Sequence, residues 1–231
     1  MFVKICGTTN EDDALLAVAM GADAVGFIFA PSPRQVSMDR VRDIVRRLPS
    51  DVLGVGVFRN EMPARVVEIT SKARLGAAQL SGHESAEDTA WVAERVPVTI
   101  KAFPAGHEGL EHLADYGADV VMLDNERPGS GEVFDWSLAE GAPLAGHRLL
   151  LAGGLDAHNV AAAIRRVRPW GVDAASGVES RPGRKDPARL RAFLNAAKAA
   201  GAATAREQVA SADEVRGHPA GPGPYDWEQD Q

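Results

Sequence analysis

The sequence predicts an α/β fold in which eight parallel strands close into a (β/α)8 barrel, with helices on the outside. Short runs of Val, Ile, Ala, Gly and Leu recur along the chain, and amphipathic segments separate them. Eight such strand–helix units fit into about 200 residues, the usual size of a single barrel domain. An open doubly wound sheet is the alternative, but the first strand is not followed by the G-x-G-x-x-G sequence of dinucleotide-binding sheets.

The predicted strands are mostly apolar on both faces, as parallel strands covered by helices are. They lie at residues 2–6, 23–28, 52–57, 77–80, 97–102, 119–124, 148–152 and 170–174. The first helix follows Asn10, a good N-cap, and residues 11–13 place acidic side chains in its first turn. Further helices are predicted at 39–47, 62–72, 84–94, 107–116, 157–167 and 186–199, with only a short helix around 135–140.

The composition changes near the end of the barrel pattern. Residues 1–200 are predicted to form the barrel domain. Beyond them, Ala- and Gly-rich sequence gives way to acidic residues and then to a Pro- and Gly-rich segment at 219–224. Residues 201–231 are therefore predicted to form a helix remnant and a flexible acidic tail.

The net charge and the composition limit which classes of partner and cofactor are expected. The net charge of −7 disfavours nucleic-acid binding, and no stretch approaches the ~20 apolar residues that span a membrane. The six histidines are scattered without H-x-H or H-E-x-x-H spacing, so neither a metal nor another cofactor is predicted. One cysteine, and a strand that starts at once and leaves no room for a signal peptide, predict a cytoplasmic protein. A monomer is favoured over a dimer.

The single cysteine is the first candidate for chemistry. Cys6 ends the apolar run 2–5, and residues 7–10 have the character of a turn and a helix start. The thiol is thus expected at the C-terminal end of the first strand, where parallel barrels carry their catalytic groups. A lone thiol forms no internal disulfide, and zinc sites recruit several ligands. Two interpretations stay open: an apolar filler and a reacting group.

Two charged residues follow other strands. Asp124 comes after the apolar run 120–123, so burial is expected to raise its pKa and suit it to act as a general acid. A helix cap or an ion pair is the alternative. Arg34 lies in a loop stiffened by Pro31 and Pro33, and its guanidinium suits a carboxylate or phosphate of a ligand. Its alternative is a solvated surface charge.

Small residues after strands seven and eight predict a phosphate site. Gly153 and Gly154 follow strand seven, and Ser176 and Gly177 follow strand eight. In many barrels the backbone N–H groups at these positions hold a phosphate; simple turns are the alternative. Asp173 is a candidate for a sugar hydroxyl or a nearby base, and its alternative is a structural hydrogen bond.

With these residues identified, the chain resembles the phosphoribosylanthranilate isomerase family of tryptophan biosynthesis from about residue 2 to 196. The joint order and spacing of the matching segments carry the resemblance, since no single segment is decisive. They are KICGT at 4–8, GAD at 21–23, GFIF at 26–29, SPR at 32–34, VS at 36–37, GVF at 56–58, QL at 79–80, LD at 123–124, GSG at 129–131, FDW at 134–136, LAGGL at 151–155, NV at 159–160, SGVES at 176–180, PG at 182–183 and KD at 185–186.

The resemblance implies a cofactor-free Amadori rearrangement of N-(5-phosphoribosyl)anthranilate, a phosphorylated aminosugar, to 1-(2-carboxyphenylamino)-1-deoxyribulose 5-phosphate. It places the general base at Cys6, the general acid at Asp124 and the contact to the anthranilate carboxylate at Arg34. The phosphate-holding segments fall on Gly153, Gly154, Ala175, Ser176 and Gly177. Gln79 and Ser81, which end strand four, join the candidate substrate-binding residues.

One departure from the family pattern concerns substrate choice. Family members usually carry His in Gln-Leu-His-Gly, and this chain has Ser81 there, with His83 two places later. A serine is smaller and carries no positive charge. Two alternatives therefore stay open: an isomerase acting on a related N-aryl ribosylamine phosphate in secondary metabolism, and a barrel that binds a phosphorylated ligand without catalysis. An indole-forming synthase lacks an obvious catalytic lysine, the nearest being Lys101.

Overall fold

Eight parallel strands form a closed barrel in chain order in this computed structural model, which describes residues 1–125, 136, 139 and 146–216 and only the backbone of 208–216. The strands are β1 Phe2–Ile5, β2 Ala24–Ile28, β3 Leu53–Phe58, β4 Ala77–Leu80, β5 Thr99–Pro104, β6 Val120–Asp124, β7 Arg148–Leu151 and β8 Gly171–Ala174. β8 pairs with β1, with Lys4 opposite Asp173, which closes the ring. The predicted (β/α)8 barrel is confirmed.

Helices cover the outside of the barrel. They are α1 Glu11–Ala19, α2 Met38–Val45, α3 Pro63–Lys72, α4 Ala86–Ala93, α5 Leu113–Tyr116, α6 Val160–Val167 and α7 Pro187–Arg216. Two 3-10 turns, Glu108–His112 and Ser176–Val178, precede α5 and follow β8. A short antiparallel hairpin, β9 Glu179–Arg181 and β10 Arg184–Lys185, then leads into α7. None of the described helices is both long and apolar enough to cross a membrane.

Local sequence signals start several of these helices. The Asn10 side chain accepts a hydrogen bond from the Asp13 N–H at 3.0 Å, and Ser37 and Ser85 cap α2 and α4 in the same way. These caps satisfy N–H groups that have no partner within the helix. Pro63 starts α3, where its missing N–H costs no hydrogen bond.

Two apolar layers hold the barrel together. Alternate strand residues fill its interior, among them Val55, Ile100 and Met122, all nearly inaccessible to solvent. The intervening residues point outward and pack under the helices; Phe193 of α7, for example, is fully buried in this outer layer. Strands buried on both faces need apolar residues at nearly every position, which is why the sequence pattern locates them well.

The last helix differs from the sequence prediction. It runs without a break to Arg216, whereas the sequence predicted a helix at 186–199 and only a helix remnant beyond residue 200. The Ala-rich sequence favours helix, and Gly201, which would weaken it, packs so closely against Met1 that a Cβ there would lie 2.3 Å from the Met1 Cβ. The acidic tail proposed for the end of the chain lies outside the described residues from 217 onward. The short helix expected around 135–140 is also outside them, apart from residues 136 and 139.

Candidate active site

The carboxyl ends of the strands bring several predicted residues together at one mouth of the barrel. Cys6 follows β1, Asp124 ends β6 and Asp173 lies in β8. The charge of Asp173 acts on both Cys6 and Asp124. The fold therefore places the Cys6 thiol and the Asp124 carboxyl near the same charged residue, Asp173, although 118 residues separate Cys6 and Asp124 in sequence.

The thiol of Cys6 is buried, with 6 % of the residue exposed, and it is a free cysteine. Its backbone N–H donates to the Ala174 carbonyl at 2.9 Å, which extends the β1–β8 pairing and fixes the residue at the strand end. Burial raises the pKa of the Cys6 thiol, and the ammonium groups of Lys4 and Lys185 oppose that rise.

Lys4 lies below Cys6, on the same face of β1, and is completely buried. Its Nζ donates to Asp173 Oδ1 at 2.8 Å. The pKa of Lys4 is raised, because the attraction of Asp173 and Cys6 outweighs the effect of burial. Lys4 is therefore a charged ammonium in the interior. The interpretation of Asp173 as the partner of a nearby base corresponds to this ion pair.

Asp124 has the electrostatic properties of an acid. Burial raises its pKa to about 6 from an ordinary value of 3.8, and Asp173 pushes it the same way. The Asn125 N–H, which donates to Asp124 Oδ1 at 2.7 Å, opposes the rise without cancelling it. A carboxyl with this pKa is partly protonated near neutral pH and can donate a proton.

Arg34 is buried rather than solvated. Its Nε and Nη2 bind both carboxylate oxygens of Glu179 at 2.8–3.1 Å. Among the residues that the structure describes, Nη1 has no hydrogen-bond partner. One end of the guanidinium is thus anchored, and the other remains able to bind a ligand.

Glu179 also pairs with Lys185, whose Nζ donates to Oε1 at 3.0 Å. The same Nζ donates to the carbonyl of Cys6 at 2.6 Å and to that of Ala175 at 3.3 Å. The β9–β10 hairpin therefore ties the loop after β1 to the loop after β8. Neither Glu179 nor Lys185 stands out as a site residue in the sequence, because their roles depend on contacts with residues about 145 to 180 positions away.

Gln79 and Ser81 lie together at the end of β4. Gln79 Nε2 donates to Ser81 Oγ at 2.9 Å and contacts Met122 Sδ at 3.3 Å. Within the described part of the chain, the buried Gln79 Oε1 has no partner. An acceptor of that kind is available to a substrate hydroxyl or a water molecule.

A cavity of about 190 Å³ opens beside Asp124, at the ends of β4–β6. Its lining includes Ser81, Glu84, Lys101, Phe103, His107 and Tyr116. Lys101 is buried and donates to Glu84 Oε2 at 2.6 Å and to the Gly82 carbonyl at 2.9 Å. Burial lowers the pKa of Lys101 while Glu84 opposes this. Lys101 thus lies inside the barrel mouth, held by a neighbouring carboxylate.

The loop after β7 exposes backbone donors. Gly153 and Gly154 have φ of 84° and 64°, a region that glycine enters without strain. Their N–H groups donate to no other group of the described chain. The Asn159 side chain holds the Gly154 carbonyl at 2.8 Å and so fixes the loop against the start of α6.

The loop after β8 approaches the loop after β7 closely at Gly177. A Cβ at this position would lie 2.1 Å from the Leu155 carbonyl oxygen, so only glycine fits. Ser176 and Gly177 form the 3-10 turn that follows Ala175. The predicted phosphate segments are therefore adjacent and present backbone N–H groups of the kind that bind phosphate oxygens.

Three charged residues of this mouth were not among the sequence candidates: Lys4, Glu179 and Lys185. A signal for Lys4 exists, because alternation along β1 places residues 4 and 6 on one face, and a lysine inside a buried strand needs a partner. Across the described residues, no three His, Cys, Asp or Glu side chains lie close enough to hold a metal ion.

Comparison with known proteins gives consistent results. A family model described as N-(5'phosphoribosyl)anthranilate (PRA) isomerase matches residues 3–196. The N-(5'-phosphoribosyl)anthranilate isomerase of Trichlorobacter lovleyi is 45% identical over 204 residues, which cover 86% of this chain and 98% of that protein.

Solved structures agree. The phosphoribosyl anthranilate isomerase of Thermus thermophilus superposes with a TM-score of 0.80 at 42% identity, covering 86% of this chain and 99% of that one. A phosphoribosyl anthranilate isomerase in complex with reduced 1-(o-carboxyphenylamino)-1-deoxyribulose 5-phosphate superposes with a TM-score of 0.76 at 42% identity and the same coverage.

Proposed function

This chain belongs to the N-(5'-phosphoribosyl)anthranilate isomerase family, and from that premise we propose that it rearranges N-(5-phosphoribosyl)anthranilate to 1-(2-carboxyphenylamino)-1-deoxyribulose 5-phosphate in tryptophan biosynthesis. One observation carries the proposal for this chain. A carboxyl whose pKa is raised to about 6, Asp124, shares the barrel mouth and the Asp173 charge with the buried thiol of Cys6. An acid and a base are the two groups that an aldose-to-ketose rearrangement needs.

Asp124 is the general acid of the proposed mechanism. It donates its proton to the furanose ring oxygen, and the bond from C1 to that oxygen breaks. The nitrogen lone pair forms the C1–N double bond, so the open sugar is an iminium ion. Its positive charge makes the proton on C2 acidic, and the electron sink comes from the substrate itself.

Cys6 is the general base. Its thiolate takes the C2 proton, and the electron pair left behind forms the C1–C2 double bond while the nitrogen regains its lone pair. The resulting enolamine gains a proton at C1 and loses the proton of its C2 hydroxyl, which gives the ketone. A thiolate is a competent base here because the iminium supplies the charge that drives proton transfer.

The remaining residues hold the substrate. The free Nη1 of Arg34 binds the anthranilate carboxylate, an arrangement that the anchoring of Nε and Nη2 on Glu179 supports. The exposed donors of Gly153 and Gly154, with Ala175, Ser176 and Gly177, bind the phosphate. Gln79, Ser81 and Asp173 contact the sugar, which lies between the anthranilate and the phosphate.

The proposal is tested by fluorescence decay of freshly generated phosphoribosylanthranilate, with the ketone product identified by mass and NMR. Fast decay with that product supports it. Binding without turnover by folded wild-type protein would instead support a non-catalytic barrel. Turnover only of analogues with altered aryl groups would point to a related N-aryl ribosylamine phosphate, the alternative that Ser81 raises.

We also propose that the chain is a monomer in the cytoplasm. Among the residues whose exposure the structure describes, the exposed large apolar side chains belong to separate segments of the chain: Leu15, Met62, Trp91 and Trp170. Large apolar residues that are exposed singly are normal on the surface of a monomer. One solved structure of the family is of monomers generated from the dimeric enzyme of Thermotoga maritima, so both oligomeric states occur among relatives. Light scattering on this chain therefore tests whether it is a monomer. The free Cys6 fits a reducing compartment.

A further inference from the structure

Lys4 and Cys6 share a small space above Gly26 of β2. A Cβ placed on Gly26 would lie 2.9 Å from Cys6 Sγ and 3.1 Å from Lys4 Nζ. The sulfur and the ammonium therefore occupy the volume that a side chain at position 26 would fill. Lys4 is fully buried, and Cys6 is 6 % exposed, so water screens their interaction little.

The position of the Lys4 ammonium is fixed from the other side. Asp173 Oδ1 accepts from Lys4 Nζ at 2.8 Å, and the two residues face each other in the β1–β8 register. The pKa of Lys4 is raised, because the attraction of Asp173 and Cys6 outweighs the effect of burial, so its ammonium stays charged. The pairing of β1 with β8 thus sets Asp173 opposite Lys4, and the Asp173 carboxylate holds the Lys4 ammonium beside the sulfur.

Other charged groups around Cys6 have different primary partners. Lys185, from β10, donates to the Cys6 carbonyl and to Glu179. Arg34, from the loop after β2, is bound by both oxygens of Glu179. Burial and Asp173 raise the pKa of the thiol, while the positive charges of Lys4 and Lys185 lower it.

We infer that Lys4 is a positioning residue for the base: held by Asp173, its ammonium orients the sulfur of Cys6 and stabilises it in the thiolate form. This inference rests on the proposed role of Cys6. It assigns opposite effects to the two members of one ion pair. Lys4 favours the thiolate, and Asp173 holds Lys4 in place while disfavouring the thiolate by its own charge.

The chain allows a direct test because Cys6 is its only cysteine. Thiolate absorbance is titrated in wild type, Lys4→Met and the double variant Lys4→Met/Asp173→Asn, with the spectrum of Cys6→Ser subtracted as the baseline. Lys4→Met is expected to raise the thiol pKa by about one unit or more, the scale of a lost neighbouring opposite charge. The double variant is expected to have a lower thiol pKa than Lys4→Met, because the opposing charge of Asp173 is removed where there is no Lys4 left to hold.

Lys101→Met is the matched control. Lys101 is also a buried, ion-paired lysine of the barrel interior, but its partner is Glu84, and it lines the cavity beside Asp124 rather than the space above Gly26 that holds Lys4 and Cys6. Its loss is expected to leave the thiol pKa unchanged. Equal shifts in the Lys4→Met and Lys101→Met variants, or a thiol pKa that is higher in the double variant than in Lys4→Met, would overturn the inference.

The titration needs no turnover, so its result is independent of the proposed reaction. If wild type fails to isomerise phosphoribosylanthranilate while the thiol pKa moves as described, the proposed function is wrong and the pairing of Lys4 with Cys6 stands. If wild type turns over and the thiol pKa does not respond to Lys4, only the inference about Lys4 fails.

Discussion

Arg34 and Glu179 form a buried, bidentate ion pair across 145 residues of sequence, with Nη2 2.8 Å from Oε2. Arg34 comes from the loop after β2, and Glu179 begins the hairpin after β8. Because Nε and Nη2 both bind Glu179, the pair orients the guanidinium and leaves Nη1 without a hydrogen-bond partner among the described residues. The arginine that the sequence suggests as a ligand contact is thus a structural anchor as well.

Replacing Arg34 is expected to affect stability and binding separately. Arg34→Ala leaves Glu179 buried with fewer partners, so the free energy of unfolding falls by about 3 kcal/mol in urea titration. Arg34→Lys keeps the charge but loses the fork. Its KM for phosphoribosylanthranilate is expected to rise about tenfold, the worth of one charged hydrogen bond, with kcat little changed. An unchanged KM in Arg34→Lys would remove Arg34 from the substrate site; an analogue without the carboxylate is the control.

Asp124→Asn is expected to stabilise the fold at neutral pH. The raised pKa means that the native state binds more protons than the unfolded state between pH 3.8 and about 6, so stability falls as pH rises through that window. Asparagine avoids this loss. The variant should gain about 1–3 kcal/mol at pH 8 and nothing at pH 3.5. If the free energies of unfolding of Asp124→Asn and wild type differed by the same amount at pH 8 and at pH 3.5, the pKa of the Asp124 carboxyl would not be raised in the native state.

The pH dependence of kcat/KM should follow the same carboxyl. In the proposed mechanism, catalysis requires protonated Asp124 together with ionised Cys6. As pH rises below about 6, the thiolate fraction grows while Asp124 stays protonated, so the rate rises. Above that pH the loss of acid cancels the gain of thiolate, and the rate stays level until the raised thiol pKa is reached. The break near pH 6 should be absent from the residual activity of Asp124→Asn; its persistence would assign it to another group.

Gly177→Ala is expected to weaken phosphate binding. The added Cβ would meet the Leu155 carbonyl at 2.1 Å and push apart the loops after β7 and β8. Substrate KM should rise by tenfold or more, the scale that a lost charged hydrogen bond sets at about 1.5 kcal/mol. Gly54→Ala is the control, because its Cβ would meet Leu75 at 3.3 Å and Val45 at 3.4 Å, in the apolar layer outside β3 and away from the loops after β7 and β8. A KM that rises equally in both variants would indicate general loosening of the barrel.

The strands of this fold were predictable for a physical reason. Each of the eight is buried on both faces, so an apolar run bounded by turn residues marks it, and all eight fall where the pattern places them. The end of α7 was not predictable in the same way. The change of composition near residue 200 suggests that the helix breaks there, whereas the Ala-rich sequence continues it, and the contact of Gly201 with Met1, at the other end of the chain, accounts for a glycine within it.

The residues of the candidate site that directly follow a strand could be predicted from the sequence. Cys6 and Asp124 stand out because each follows an apolar run. Glu179 and Lys185 were missed, since a carboxylate and an ammonium in a hairpin look like surface charges until the fold brings Arg34 and the Cys6 carbonyl to them. Lys4 lay within reach of the alternation rule, but the apolar run around it hid its role.

The measurement that tests the central claim most directly uses phosphoribosylanthranilate carrying deuterium at C2, in single turnover with wild type and Cys6→Ser. If Cys6 removes the C2 proton, wild type turns the deuterated substrate over more slowly than the ordinary one. Cys6→Ser should then lose at least ~10²-fold in rate, the usual worth of a general base, with little change in substrate binding. Equal rates for both substrates, together with a Cys6→Ser loss smaller than about tenfold, would contradict the assignment of Cys6 as the base.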